Sequence, residues 1–114
     1  MSIRKERLAD EIRDIVGSAC SGGQLSDPRL GGVSITAVKL SPDLQIATVY
    51  FRNFDDKIQV DDVKRGLESA SGVFRKKLAE VLDVRRMPNL RFFFDESLER
   101  ASRIENLLKQ TRTE

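Results

Sequence analysis

The fold is decided by the sequence VSITAVKLSPDLQIATVYFR, residues 33–52. Apolar and polar residues alternate from Val33 to Ala37, which is typical of a strand with one buried face. The alternation then slips by one residue at Val38, which indicates either a bulge or burial on both faces. Ser-Pro-Asp at residues 41–43 fits a tight turn, and the β-branched and aromatic residues of 44–52 predict a second strand. The stretch therefore predicts a β-hairpin.

Helices are predicted on both sides of the hairpin. Apolar residues recur at helical spacing from Ile3 to Ala19 and meet a segment rich in glycine and serine, residues 17–23. A second helical pattern runs from Val63 to Val81, with Asp61 and Asp62 as suitable N-terminal caps. Gly72 lies inside this pattern, where glycine costs about 1 kcal/mol relative to alanine. We therefore expect one helix with a kink at Gly72.

A third strand and a last helix follow. Leu90, Phe92 and Phe94 alternate as buried strand residues, and Phe93 points the other way. Aromatic residues on a strand can also stack RNA bases, and this alternative is most open for Phe93. Asp95 can cap a final helix, whose apolar stripe is Leu98, Ala101, Ile104, Leu107 and Leu108. We expect an α+β fold of two layers, with the helices on one face of a three-stranded sheet. Because the third strand returns after a helical crossover, it is expected to run parallel to a hairpin strand.

Length and composition restrict the chemistry. A chain of 114 residues predicts one domain, residues 1–114, with disorder past about residue 110. It contains no histidine and one cysteine, which excludes a Ser-His-Asp triad, a Cys-His pair and an internal disulfide. Cys20 is a reactive thiol or a packing residue, and the acidic pairs 55–56 and 61–62 are ion ligands or solvated loops and caps. We expect no enzymatic activity, no metal and no cofactor.

The sequence also bears on location. The N-terminal residues 1–5 lead into a charged segment and lack the apolar core of a secretory signal. No apolar run approaches the roughly 20 residues that cross a bilayer. We expect a cytoplasmic protein without membrane contact.

Charge is distributed unevenly along the chain. Residues 64–91 carry eight basic and three acidic side chains, whereas residues 14–63 carry four basic and seven acidic ones. Such clustering is typical of a surface that binds polyphosphate. It is also typical of a solvated helix face crossed by ion pairs, so charge alone leaves both interpretations open.

Four separated segments have distinctive sequences: DPRLGGVSIT at 27–36, LSPDL at 40–44, PNLRF at 88–92 and DESLER at 95–100. In the same order, they resemble motifs of the ribosome-binding factor A family of bacterial small-subunit assembly factors. The resemblance implies a type II KH-like fold in which an Ala-x-Gly sequence, here Ala70-Ser71-Gly72, kinks the joint between two helices. It also implies binding to the free small (30S) subunit, assistance in late maturation of 16S rRNA including its 5′ end, and a role in growth in the cold.

The resemblance and the charge pattern together give the expected RNA contacts and partners. The partners are the small subunit and its rRNA, with ribosome-associated GTPases of subunit maturation as further candidates, and the protein is expected to be a monomer. The alternative is a basic adaptor that binds proteins and makes no direct RNA contact. The expected RNA-binding residues are Arg4, Lys5, Arg7, Lys64, Arg65, Ser71, Arg75, Lys76, Lys77, Arg85, Arg86 and Arg91.

Overall fold

The computed structural model describes residues 2–22, 25–82 and 87–112. Within these ranges the chain forms four α-helices and three strands in the predicted order, which confirms the α+β fold. A short 3-10 turn, Pro28–Leu30, precedes the first strand. The elements are α1 (Ser2–Ser21), β1 (Val33–Leu40), β2 (Ile46–Asn53), α2 (Val60–Ser69), α3 (Ser71–Val81), β3 (Asn89–Phe94) and α4 (Ser97–Arg112).

The three strands form a mixed sheet in the order β1-β2-β3. β1 and β2 pair antiparallel, and β3 pairs parallel to β2, as expected for a strand that returns after a helical crossover. The register of β1 shifts between Ile35 and Ala37, so a bulge at Thr36 explains the slip in the apolar pattern. After the bulge, Val38 pairs with buried Val49 and therefore keeps its apolar side chain on the core face.

One face of the sheet packs against the helices. Ala47, Val49 and Phe51 of β2 are fully buried, and the intervening side chains of that strand are partly exposed. The rings of Phe74 and Phe92 lie 5.9 Å apart between helix and sheet. The helices contribute fully or nearly fully buried side chains to the same core, namely Ile12, Val16, Ala19, Val63, Leu67, Phe74 and Leu78.

A single non-helical residue, Ala70, separates α2 from α3. Its backbone N–H donates to the carbonyls of Gly66 and Leu67, at 3.0 and 3.1 Å, and its own carbonyl accepts from the N–H of Phe74 at 3.1 Å. The joint is therefore fully hydrogen-bonded although the helix axis is broken. It lets Leu67 of α2 and Phe74 of α3 both bury against the sheet.

The joint lies at Ala70, the first residue of the Ala70-Ser71-Gly72 sequence that the family resemblance implies as the kink, whereas helical periodicity alone suggests Gly72. Gly72 lies in the first turn of α3, two residues after the break. A Cβ atom on Gly72 would meet no described heavy atom within 4 Å, so crowding does not require glycine there. Ala70, Ser71 and Gly72 lie at the joint, and the nearest core residues on its two sides, Leu67 and Phe74, are fully buried.

One further local prediction needs correction, and one short segment has a defined turn. Gln59 is the N-cap of α2, whereas Asp61 and Asp62 lie in its first turn, where the helix dipole favours negative charge. The DPR segment forms a 3-10 turn in which the Asp27 carboxylate accepts the Arg29 N–H at 2.9 Å. This turn packs on α2 at Gly66, where a Cβ would lie 3.1–3.3 Å from Leu30, Asp27 and Arg29.

Helix α4 begins beside the sheet and leaves its apolar stripe exposed. Asp95 caps it as expected by accepting the Ser97 N–H at 2.9 Å, and Arg52 donates to Glu99 at 2.7 Å. Leu98, Ile104, Leu107 and Leu108 are between 55% and 63% exposed. The described part of the chain therefore does not cover this stripe. Disorder beyond about residue 110 stays a prediction, because α4 is described to Arg112.

Asp95 makes the folded state sensitive to acid. Its carboxylate accepts hydrogen bonds from the Thr36 hydroxyl, at 2.6 Å, and from Ser97, and these bonds hold its pKa at about 2. A lowered pKa in the folded state stabilises the fold above the unfolded pKa of about 3.9, and this stabilisation is lost as the pH falls toward 2. We expect Asp95→Asn to lose less stability than the wild type between about pH 5 and pH 2, measured by urea unfolding. An equal loss in both proteins would contradict this role.

Candidate nucleic-acid interface

The exposed side chains of β3 point away from the core and line the edge of the sheet. Asn89, Arg91 and Phe93 are exposed, whereas Phe92 is 1% exposed and packs in the core. The alternation that predicts Phe92 and Phe94 as core residues therefore sets the three others on the opposite face. β2 is the only described strand that pairs with β3, and α2 also contacts β3.

Two cations from the helices reach this edge. The Arg75 guanidinium of α3 donates to the Asn89 side-chain oxygen at 3.2 Å. The Lys64 ammonium of α2 lies 4.6 Å from the centre of the Phe93 ring, a cation–π distance. Arg91 lies between these two points on the strand. Because the helix is interrupted at Ala70, α2 and α3 place their cations at opposite ends of β3. Lys64 lies near Phe93, and Arg75 lies near Asn89.

Arg75, Arg91 and Lys64 thus form a row of positive charge, the β3 cation row. Asn89 and Phe93 are four strand residues apart, so the row spans about 13 Å at 3.3 Å per residue. None of the three cations forms an ion pair with a residue that the structure describes. The row is long enough to meet more than one phosphate of an RNA strand.

The next two cations of α3 face another direction. Lys76 and Lys77 line a surface depression of about 440 Å³ together with Val73 and Glu80. These four residues are spaced by three or four positions, so they share one helix face. Arg75, by contrast, turns to β3. α1 packs against α3, and its four basic side chains are balanced by four acidic ones.

The remaining predicted contacts are placed as follows. Arg4 and Arg7 are exposed on α1 and Lys5 is partly exposed, while Arg65 is held by Asp62 at 3.2 Å within α2. The Ser71 hydroxyl donates to the Leu67 carbonyl at 3.5 Å and is thus partly engaged within the joint. Arg85 and Arg86 lie outside the described residues.

Cys20 and Asp55, whose side chains could act as a nucleophile or a metal ligand, have structural roles instead. Cys20 is buried in the core, and burial raises the pKa of its thiol to about 11, so it packs as a neutral side chain. Asp55 accepts the Lys57 N–H at 3.1 Å, as expected of a loop aspartate. Within the described ranges there is no group of three or more metal-ligating side chains, and no helix is long and apolar enough to span a membrane.

Sequence reasoning misses two residues of the interface. Asn89 falls in the predicted chain break before the third strand, and Phe93 is considered for base stacking but is not among the expected RNA-binding residues. Strand parity could group them with Arg91, because residues 89, 91 and 93 must share a face. The approach of Arg75 and Lys64 could not be found that way, since it depends on the docking of two helices against the strand edge.

Comparison with known proteins identifies the family. The sequence model of ribosome-binding factor A matches residues 4–108. The chain belongs to the ribosome-binding factor A family. Ribosome-binding factor A of Pelobacter propionicus is 42% identical over 114 residues, which covers all of this chain and 93% of the relative.

Solved structures agree with the family assignment. The crystal structure of ribosome-binding factor A from Thermus thermophilus superposes with a TM-score of 0.71 at 27% identity, covering 82% of this chain and 97% of that one. A homology model of the Thermus thermophilus protein, fitted into a cryo-EM map of its complex with 30S, gives a TM-score of 0.61 at 26% identity. It covers 77% of this chain and 91% of that one. The predicted two-layer, KH-like arrangement is therefore shared with this family.

Proposed function

We propose that this protein binds the free 30S ribosomal subunit through folded 16S rRNA and assists late maturation of that rRNA, including its 5′ end. The Thermus thermophilus relative, placed in a map of a 30S complex, supports the choice of target. The roles in 5′ processing and in growth in the cold follow from the family resemblance. We propose further that the protein acts in the cytoplasm as a monomer, without catalysis. Ribosome-associated GTPases are candidate partners.

The observation that carries this proposal is the β3 cation row. Three cations, each without an ion pair to a described residue, line a strand edge of about 13 Å. Folded RNA is recognised mainly through its backbone and shape, so phosphate contacts of this kind suit rRNA. Arg75 and Arg91 can each make bidentate phosphate contacts, whereas Lys64 acts as a point charge.

A protein-binding role is favoured by one different observation. The apolar stripe of α4 is more than half exposed at Leu98, Ile104, Leu107 and Leu108, and RNA offers little apolar surface to cover it. We therefore assign the protein-binding role to α4 as a second candidate function, in addition to RNA binding at β3. The two roles are compatible, because the two surfaces lie on different elements.

Salt-dependent co-sedimentation with purified 30S subunits tests the proposal. If cations neutralise phosphates, the logarithm of the binding constant should fall linearly with the logarithm of the salt concentration, by about 0.7–0.9 per contact. Three contacts at the β3 cation row give an expected slope of about −2 to −3, and the basic residues of α1 and α3 would steepen it. Naked 16S rRNA is measured in parallel.

Two results would count against the proposal. Absence of binding to both 30S subunits and naked rRNA at low salt, with the fold intact, would remove the RNA-binding role. Binding to subunits with a slope near zero would indicate contact with ribosomal protein and support the adaptor role.

A further inference from the structure

The face of the sheet that the helices do not cover carries two aromatic rings side by side. Tyr50 of β2 is the register partner of Phe93 of β3, and paired strands lie about 4.8 Å apart. Tyr50 is partly exposed and Phe93 is 44% exposed. Phe92 of the same strand is 1% exposed and Phe94 is partly buried, so Phe93 is the ring of β3 that the fold leaves at the surface.

Cations surround the two rings. The Lys39 ammonium lies 5.7 Å from the centre of the Tyr50 ring, and the Lys64 ammonium lies 4.6 Å from that of Phe93. Arg91, one pleat before Phe93, pairs in register with Thr48 on the same face. The side chains that surround the two rings on this face are therefore basic or neutral.

The acidic groups nearest along the chain are already engaged. Asp95 accepts from the Thr36 hydroxyl at 2.6 Å, and Glu99 accepts from Arg52 at 2.7 Å. Both lie past the end of β3, beyond Phe93. These two carboxylates are therefore engaged with partners on the protein.

We propose that Tyr50 and Phe93 form a stacking platform for the bases of a short unpaired RNA segment, with Lys39, Lys64 and Arg91 holding its phosphates. Aromatic side chains with adjacent cations are the means by which proteins hold unpaired nucleotides irrespective of sequence. The platform adjoins the β3 cation row at Phe93. It rests on the proposed function and extends it, since a flexible rRNA segment would be held beside the folded rRNA docked at the strand edge.

The lysines above the rings do not block stacking. An exposed lysine over an aromatic ring is held more weakly than a base stacked on the same ring. Lysine is also flexible, so a base can displace the ammonium groups while they remain within reach of the flanking phosphates. An acidic protein segment would use the same cations, but it would leave the paired rings without a stacking partner.

The composition of the chain gives a direct experiment. Tyr50 is the only tyrosine and there is no tryptophan, so intrinsic fluorescence reports on this platform alone. Titration of the full chain with single-stranded hexaadenylate at about 50 mM salt is expected to quench Tyr50. A duplex RNA with the same number of phosphates is expected to leave the fluorescence nearly unchanged, because its bases are not free to stack.

A matched pair of variants isolates stacking from charge. Phe93→Leu keeps an apolar side chain and the Tyr50 reporter, and is expected to weaken hexaadenylate binding about tenfold. Phe54→Leu makes the same change at an exposed ring beyond the end of β2, 76% exposed, and is expected to bind as the wild type does. Circular dichroism and urea unfolding check that both variants fold.

Three results would overturn the platform: no quenching by hexaadenylate, equal quenching by the duplex, or equal affinity of Phe93→Leu and Phe54→Leu. Equal quenching by hexaglutamate would also overturn it and assign the face to an acidic protein. None of these outcomes bears on 30S binding, because co-sedimentation reports on the whole interface. Loss of co-sedimentation with normal quenching would reject the proposed function instead.

Discussion

Replacing Phe92 by alanine is expected to destabilise the protein by about 3–5 kcal/mol, which is a large part of the roughly 5–15 kcal/mol typical of a small domain. Phe92 is 1% exposed and packs against Phe74, with ring centres 5.9 Å apart, so its removal opens a cavity between the helices and the sheet. Urea unfolding followed by circular dichroism measures the effect. At a slope of about 1.5 kcal/mol per molar, the midpoint should fall by about 2–3 M.

The neighbouring ring is the control for this prediction. Phe93→Ala removes the same atoms from a side chain that is 44% exposed, and should cost about 1 kcal/mol or less. If Phe92→Ala does not fold, Phe92→Leu gives a smaller loss that can still be compared with Phe93→Leu. Equal losses at the two positions would mean that β3 does not present Phe92 to the core.

Reversing two charges on α3 should abolish 30S binding while the fold is kept. In Arg75→Glu with Lys77→Glu, two candidate phosphate contacts become repulsive. Each charge-assisted hydrogen bond is worth about 1.5–3 kcal/mol, so affinity is expected to fall at least about 100-fold. Arg75 is exposed and makes one described side-chain hydrogen bond, to Asn89, so stability should change little. Co-sedimentation with purified 30S subunits is the measurement.

The control must change the net charge equally. Arg100→Glu with Lys109→Glu makes the same change on exposed positions of α4, away from β3. This variant is expected to retain binding within a few-fold, since long-range charge effects are screened at physiological salt. Equal loss in both double variants would assign the effect to net charge, and retention in both would move the contact surface off α3.

The strands are the part of the fold that the local sequence pattern predicts correctly. The alternation from Val33 to Ala37 predicts β1, and its slip at Val38 signals the bulge that lies at Thr36. Phe92 and Phe94 are predicted as core residues by the same alternation, and Phe92 is the most buried of the strand. These predictions succeed because side-chain direction alternates residue by residue in a strand. The buried face can therefore be identified from every second residue of the local sequence.

The helices show where local pattern fails. The period of three to four residues from Val63 to Val81 is continuous, and it does not distinguish one helix from two in line. The structure breaks the helix at Ala70, whereas the glycine at residue 72 suggests a different position. Likewise, the stripe of α4 is amphipathic in sequence, but its exposure depends on which surfaces lie nearby.

The sequence by itself determined the elements, their order, the core face of the sheet and the cations concentrated in residues 64–91. It could not show which of these cations act together. Lys64 and Arg75 meet Phe93 and Asn89 only because α2 and α3 dock separately against one edge strand, and Tyr50 meets Phe93 only through the pairing of β2 with β3. These contacts join residues that are 14 to 43 positions apart in the sequence. The periodicity within one helix or strand therefore cannot predict them.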